Sequence, residues 1–234
     1  MQNIPRIYLN ENLEIGKFYQ LPIDVAHYLT KVMRADKCLV FNNGQEFVAE
    51  LKQEQSKKIV DCYLLIVNST NRADPANNLT LAFGPIKQSR LEEMINMATQ
   101  LGVAKFLPVI TDHVTAKHIN WERIKKIAIE ASEQSGRNSI PEISPEIKFS
   151  DFIKENKNII FADERFAHDS SHESRFAIHD KNNAIVFVGP EGGFSDSEFD
   201  ALDNSGAVGM SLGPTILRAE TAAVAAIVKV ISNQ

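Results

Sequence analysis

The chain has 234 residues, a 44% share of hydrophobic residues and a net charge of −5, the balance of a globular protein with one good core or two modest ones. It opens without the charged-then-apolar layout of a signal peptide, and no apolar run is long enough to span a membrane. The acidic balance alone does not suggest a nucleic-acid binder. Cys38 and Cys62 show no metal spacing, so we expect reduced, buried thiols and a cytoplasmic protein.

The first 70 residues have the pattern of short strands joined by turns. Asn43-Gly44 is a hairpin turn signal between two strand candidates. Residues 24–33 predict a short helix that carries His27 and Lys31, with Arg34 directly after it. Residues 1–70 therefore predict a small β-barrel domain with one helix, and the polar residues 68–78 predict a linker. The strand candidates are residues 6–9, 37–41, 46–51 and 59–67.

From residue 79 onward, strand patterns alternate with helix patterns. Such alternation predicts a parallel sheet with helices on both of its faces. Ser89 and Ser195 each precede a Glu by three residues, as in the capping box that begins a helix, and Asn120 is a third cap candidate. The nearly continuous apolar run 222–231 predicts a buried helix. The predicted strands are residues 79–83, 103–110, 158–162, 184–188 and 208–212.

Three of these predicted strands end in the same dipeptide. A Gly-Pro follows each strand directly: Gly84-Pro85, Gly189-Pro190 and Gly213-Pro214. A single Gly-Pro is most simply a strand terminator. The carboxyl ends of parallel strands share one edge, however, and α/β proteins bind ligands in the crevice there. Three glycine-bearing loops at one edge therefore predict a site for a flat, polar small molecule that approaches the backbone closely.

The known nucleotide fingerprints are absent from these loops. The chain has neither the G-x-G-x-x-G of a dinucleotide site nor the G-x-x-x-x-G-K-[ST] of a phosphate loop. Glu191, in Gly189-Pro190-Glu191-Gly192-Gly193, would repel a pyrophosphate and suits a ligand with a positive centre. These observations disfavour NAD and ATP and leave S-adenosylmethionine as a candidate.

The glycine-rich loops belong to a longer set of motifs with a known counterpart. The set comprises residues 189–193, Ser211-Leu212-Gly213, Leu217-Arg218 and Glu220-Thr221-Ala222. These segments resemble the motifs of the knotted SPOUT-class RNA methyltransferases. The bacterial 16S ribosomal RNA uridine-N3 methyltransferase family is the most similar. Further matches in the expected order lie at residues 27, 31–34, 41–44, 100–103, 130–137 and 140–141. The chain differs from the usual family residues at Met97, Gln100, His113 and Thr215.

This resemblance implies a fold and an activity. The fold is a small PUA-like β-barrel over residues 1–70 and a parallel-sheet α/β domain with a deep trefoil knot over residues 75–234. The activity is methyl transfer from S-adenosylmethionine to N3 of a 16S rRNA uridine on the small subunit, by a homodimer. Two alternatives stay open: methylation of another RNA site, and a non-catalytic RNA-binding factor in ribosome assembly. An unrelated nucleotide-binding oxidoreductase would lack its fingerprint.

The chemistry assigns roles to three side chains. Uridine N3 must lose its proton as it attacks, and the resulting anion needs a cation beside it. Arg218 is the first candidate for that cation, and Arg137 is the second, reaching the partner subunit's site. Glu220 is a candidate base, although an acid in a first helical turn is also favoured by the helix dipole. Arg6, Lys31, Arg34 and Lys37 are candidates for contacts with RNA phosphates.

The cofactor site is expected to be built from backbone groups and apolar walls. Its candidates are the residues of the three strand-end loops and of the helix entry that follows them: Gly84, Gly189, Pro190, Glu191, Gly192, Gly193, Ser211, Leu212, Gly213, Leu217 and Thr221. No metal is expected. The spacing of His168, Asp169, His172 and Glu173 is typical of a polar loop, since it lacks the H-E-x-x-H order of a zinc site.

Overall fold

The computed structural model describes residues 4–55, 60–74, 78–116, 118–167 and 183–232. The chain divides into two compact units. The first unit is Met1–Pro75 together with Ser132–Ile140, and the second is Ala76–Ala131 together with Pro141–Gln234. The boundary between Pro75 and Ala76 lies within the predicted linker. The sequence did not predict that Ser132–Ile140 belongs to the first unit.

The first unit is built on a five-stranded sheet. Its order is β1-β3-β4-β5-β2, and every pairing is antiparallel except the parallel pair β1 and β3. Strands β1 and β2 are the two ends of this order, and a small β-sheet domain thus precedes the α/β domain in the chain, as predicted. The strands are β1 Arg6–Tyr8, β2 Phe18–Gln20, β3 Lys37–Asn42, β4 Gln45–Gln55 and β5 Val60–Ala73.

Local sequence accounts for the turns of this unit. Asn43 and Gly44 have φ values of 50° and 77°, as the tight hairpin between β3 and β4 requires. The predicted helix is α1, Ile23–His27, continued by a π-helical turn over Tyr28–Val32. Two predictions were wrong: β2 was missed, and β5 continues through residues 68–73, because its pairing with β4 outweighs the polar composition that had indicated a linker. Both cysteines are buried, and burial raises the pKa of the Cys38 thiol to about 12.

The second unit is an α/β domain with a wholly parallel sheet. The strand order is β12-β10-β11-β6-β7-β8, and β9 also pairs with β7. The strands are β6 Thr80–Phe83, β7 Lys105–Ile110, β8 Glu142–Ile143, β9 Ile147–Lys148, β10 Ile159–Ala162, β11 Ile185–Val188 and β12 Val208–Met210. The helices are α2 Gln88–Gln100, α3 Trp121–Ser135, α4 Phe149–Glu155, α5 Asp196–Ser205 and α6 Ala219–Ser232.

Consecutive strand residues bury opposite faces of this sheet. Leu81 and Val186 belong to a core cluster shared with α2, α3 and α6, whereas Ala82 and Phe187 belong to a second cluster shared with α4 and α5. Because side chains alternate along a strand, helices cover both faces, as the sequence predicted. The trefoil knot concerns the threading of the chain and stays a prediction. In the described ranges, every helix is too short or too polar to cross a membrane.

The helix starts agree with the sequence in two of three cases. At α5, Glu198 N donates to Ser195 Oγ (3.3 Å) and Ser195 N donates to Glu198 Oε2 (2.9 Å), which completes the predicted capping box. At α3, Arg123 N donates to Asn120 Oδ1 (3.0 Å).

The third predicted start, at Ser89, is wrong. Helix α2 begins at Gln88, without a side-chain cap. The carboxylate of Glu92, which a capping box would require, accepts instead from Gln88 Nε2 (2.9 Å) and Arg123 Nε (2.8 Å). These two partners draw Glu92 away from the backbone N–H at the start of the helix.

Candidate active site

The strand-end loops of the second unit surround a cavity of about 270 Å³. Strands β6 and β11 are adjacent, and β12 joins them through β10, so the three Gly-Pro loops lie at one edge of the sheet. This placement confirms the prediction made from the parallel pattern. Eight predicted site residues line the cavity: Gly189, Pro190, Glu191, Gly193, Leu212, Gly213, Leu217 and Arg218.

Two predicted cofactor glycines do not line the cavity but support its wall. A Cβ at Gly84 would lie 2.5 Å from Pro190 Cδ, and Gly84 N donates to the carbonyl of Val188 (2.9 Å). A Cβ at Gly192 would lie 2.8 Å from Cβ of His113. Both glycines are therefore needed for the close packing of one loop on another, and their contact with a ligand stays a prediction.

Three further predicted residues also lie outside the lining. Ser211 is buried, and its carbonyl accepts from Lys229 Nζ (2.8 Å), whereas the side chain of Thr221 is exposed on α6. Glu220, the candidate base, is only 7% exposed, and its Oε2 has no hydrogen-bond partner among the described residues. The structure places Glu220 in the first turn of α6, whose Ala219 and Ala222 line the cavity, although Glu220 itself does not.

A short loop after β7 braces the glycine-rich turn. His113 Nδ1 donates to the carbonyl of Gly192 (2.9 Å). Asp112 N donates to Glu198 Oε1 (2.9 Å), and Ser195 Oγ donates to Asp112 Oδ2 (2.7 Å). The bracing loop, residues 111–113, thus contacts both the turn and the start of α5. This role was missed from the sequence, where His113 stood out only as a departure from the family pattern.

Three of the charged residues in the cavity wall are already paired. Glu191 accepts from Lys87 N (3.3 Å) and lies 4.0 Å from Arg90 Nη1. Asp163 is buried and pairs with Arg165 at 2.7 Å. Hydrogen bonds to Asp163 and to Asp203 raise the pKa of Arg165, so this guanidinium stays charged.

The other two charged residues of the wall, Glu164 and Arg218, have no ion pair or side-chain hydrogen bond within the part of the chain that the structure describes. Arg218 was predicted, whereas Asp163 and Glu164 were not. They follow β10, whose end carries no Gly-Pro signal. Only the strand order, which places β10 between β11 and β12, brings these acids to the cavity.

The predicted RNA-contact residue Arg6 has a different role. Its guanidinium pairs with Glu46 at 2.7 Å, donates to the carbonyls of Ser132 (3.0 Å) and Arg137 (2.6 Å) and bonds Asn138 Oδ1. The side chain is 9% exposed, which leaves it unable to reach a phosphate, so the prediction is corrected.

The remaining predicted cations lie in the first unit. Lys31, Arg34 and Lys37 are exposed, and Arg34 follows the π-helical turn with a left-handed φ of 50°. Arg137 is half-buried, which lowers its pKa, while the Asp74 carboxylate acts in the opposite direction. Residues His168, Asp169, His172 and Glu173 lie outside the described residues, and the described ones contain no cluster of potential metal ligands.

A parallel α/β sheet with a glycine-lined cavity at its carboxyl edge defines the class of fold, and comparison with known proteins supplies the family. Residues 73–231 match the model of the RNA methyltransferase domain, so the chain belongs to that family. It is similar over 96% of its length to the ribosomal RNA small subunit methyltransferase E of Rickettsia conorii, with 35% identity and 94% of that protein covered. The Bacillus subtilis protein of the same name is 29% identical over 91% of this chain and 89% of its own.

Solved structures agree with this assignment. The crystal structure of a ribosomal RNA small subunit methyltransferase E from Neisseria gonorrhoeae, bound to S-adenosyl methionine, matches with a TM-score of 0.80 and 27% identity over 99% of this chain and 98% of that one. A structure from Legionella pneumophila, also in complex with its cofactor SAM, matches with a TM-score of 0.80 and 26% identity over the same shares.

Proposed function

We propose that this protein transfers a methyl group from S-adenosylmethionine to N3 of a uridine in 16S ribosomal RNA. The observation that carries the proposal is the cavity at the shared strand edge, together with the two charged side chains in its wall, Glu164 and Arg218, that have no ion pair among the described residues. The fit to the cofactor is good. Gly193 and Gly213 have φ values of 70° and 120°, which let the backbone approach a ligand closely, and Leu212, Ile216 and Leu217 offer an apolar wall for an adenine.

When bound, S-adenosylmethionine supplies an electrophilic methyl group on a sulfonium centre. The protein's own task is then to hold the uridine in line with it and to stabilise the charge of the deprotonated base. Arg218 is suited to the second task because its exposed guanidinium faces the cavity wall without an internal partner among the described residues. Glu220 lies two positions further along the chain, is buried, and has no hydrogen-bond partner for its Oε2 among the described residues; it stays the candidate proton acceptor.

The proposal extends to the partners of the enzyme. Lys31 and Arg34 are exposed and would contact RNA phosphates, with the small subunit as the substrate, in the cytoplasm. We propose a homodimer, since Val208 and Val228 are large apolar side chains exposed at 38% and 41% in the second unit, outside the cavity wall. Arg137 would then serve the partner's site. Light scattering of the purified protein measures the oligomeric state, and a monomer would remove that part of the proposal.

The test of the activity uses isotope-labelled S-adenosylmethionine with unmodified small subunits and, in parallel, with naked 16S rRNA. Labelled 3-methyluridine in the digested product supports the donor, the atom and the substrate together. Label in another nucleoside would move the target, and cofactor binding without any label would leave a binding function in ribosome assembly.

Two glycine variants make a matched control for the site. Gly193→Ala and Gly206→Ala both place a side chain on a left-handed backbone, but only the first puts a methyl group against Glu164 in the cavity. We expect Gly193→Ala to lose cofactor binding and methylation and Gly206→Ala to retain both. If Gly193→Ala binds the cofactor and methylates RNA as well as Gly206→Ala does, the cofactor lies elsewhere.

A further inference from the structure

The charges of the cavity wall indicate which residue meets the positive part of the donor. Among the described residues, five charged side chains line the cavity, and three of them are held by partners within the protein: Arg90, Asp163 and Glu191. Glu191 had been expected to face the cofactor. Its engagement with Lys87 N and Arg90 leaves Glu164 as the carboxylate with no such partner.

Glu164 lies directly against the glycine-rich turn. A Cβ built on Gly193 would collide with the carboxylate of Glu164, so the two residues are direct neighbours in the cavity wall. The backbone around Glu164 is fixed by two bonds: Asp163 Oδ1 accepts from Arg165 N (3.0 Å), and the Glu164 carbonyl accepts from Ala167 N (2.9 Å). A defined backbone therefore holds a carboxylate that has no ion pair among the described residues beside the glycine-rich turn.

We propose that Glu164 binds the positive charge on the methionine part of S-adenosylmethionine. This inference rests on the proposed function and deepens it. The methionine part has two cations, the α-ammonium and the sulfonium, and a carboxylate attracts either. Arg218 carries the opposite charge and is then available to bind the anionic uridine. An acid and a cation that both lack an ion pair in the described part of the chain thus supply opposite charges to the donor and to the acceptor in one cavity.

The test is a binding titration by calorimetry, with no turnover involved. Glu164→Gln removes the charge while keeping the shape, and we expect the Kd for S-adenosylmethionine to rise about tenfold or more, because hydrogen bonds to charged groups are the stronger ones. Glu164→Asp keeps the charge and should recover part of the affinity. Glu155→Gln is the matched control, since Glu155 is exposed on α4 and absent from the cavity wall.

Two analogues identify the cation. S-adenosylhomocysteine keeps the ammonium but has a neutral thioether, whereas sinefungin has an amine in place of the methylated sulfonium. A loss for all three ligands supports a contact with the α-ammonium. A loss for S-adenosylmethionine and sinefungin alone supports a contact with the sulfonium.

Two results would overturn the inference, and they differ from each other. If Glu164→Gln binds S-adenosylmethionine within twofold of the unaltered protein, Glu164 has no such role while the proposed function stands. If neither the unaltered protein nor Glu155→Gln binds it at all, the proposed function fails and the inference with it. Circular dichroism of each variant verifies that the fold is retained.

Discussion

Arg6 and Arg218 show how little a residue type reveals about its task. Both are arginines that the sequence offered for contact with nucleic acid. Arg6 pairs with a carboxylate that is 3% exposed, and its remaining donors meet backbone carbonyls and the Asn138 side chain in the segment 132–140. Arg218 is exposed at the cavity without such partners among the described residues. The two side chains therefore predict opposite consequences when they are removed.

Substitution Arg218→Ala should lower kcat by about 100-fold to 1,000-fold, the usual effect of losing one group that stabilises a transition-state anion. The thermal midpoint should be unchanged, because the side chain has no internal bonds to lose in the described structure. Arg218→Lys retains the charge and should be intermediate. Methylation assays and thermal melts measure both quantities, and normal turnover of a folded Arg218→Ala protein would take this residue out of the mechanism.

Substitution Arg6→Met should lower the free energy of unfolding by about 3–5 kcal/mol, because it leaves the Glu46 carboxylate buried without its main partner. The double variant Arg6→Met/Glu46→Gln should lose less, since the uncompensated charge is gone. Urea unfolding of both variants provides the measurement. A stable Arg6→Met protein with weakened RNA binding would restore the phosphate-contact role.

Loops and helix starts are the scale at which the sequence was most informative. The hairpin at Asn43-Gly44, the capping box at Ser195 and the Gly-Pro strand ends depend on neighbouring residues, so local pattern predicts them. The bracing of Gly192 by His113 spans 79 positions of the chain. Glu164 likewise reaches the cavity only through the strand order. Contacts of this kind depend on topology, which short-range patterns do not encode.

The bracing loop gives a prediction of its own. His113→Ala should raise the Kd for S-adenosylmethionine about threefold to tenfold, because the turn loses a hydrogen bond worth roughly 0.5–1.5 kcal/mol. His113→Asn retains a side-chain donor and should lose less. His118→Ala serves as the control, since His118 is exposed in the same unit and lies outside the cavity wall. Unaltered affinity in His113→Ala would mean that Gly192 is held well enough by packing alone.

For the molecule as a whole, an acidic chain that meets RNA must rely on a local group of cations. The net charge of −5 rules out a general attraction to phosphate. The parallel sheet and its two helical faces followed from the alternating sequence pattern. The extent of the first unit did not, because its last nine residues, Ser132–Ile140, are separated from the rest by 56 residues of the other unit, Ala76–Ala131.

The double variant Lys31→Ala/Arg34→Ala should reduce the salt dependence of RNA binding. Each lost phosphate contact lowers the slope of log K against log salt by about 0.7 for single-stranded RNA, so the expected change is about 1.4. Lys17→Ala/Lys52→Ala is the control, since these lysines already pair with Glu14 and Glu50 in the same unit. Equal slopes for both variants and the unaltered protein would exclude Lys31 and Arg34 from the RNA interface.

The interrupted first unit has a consequence for synthesis on the ribosome. Asp74 Oδ1 accepts from Asn138 N (2.7 Å) and Asp74 Oδ2 from Ser139 Oγ (2.6 Å), while Arg6 donates to carbonyls of the same late segment. Translation must therefore continue from residue 75 to residue 140 before this unit has all its parts. At a synthesis rate of about 5–20 residues per second, these groups of the nascent sheet lack their hydrogen-bond partners for roughly 3–13 seconds. During that interval water takes the place of the late segment at these polar groups, so these native hydrogen bonds of the first unit form only after residue 140 has been made.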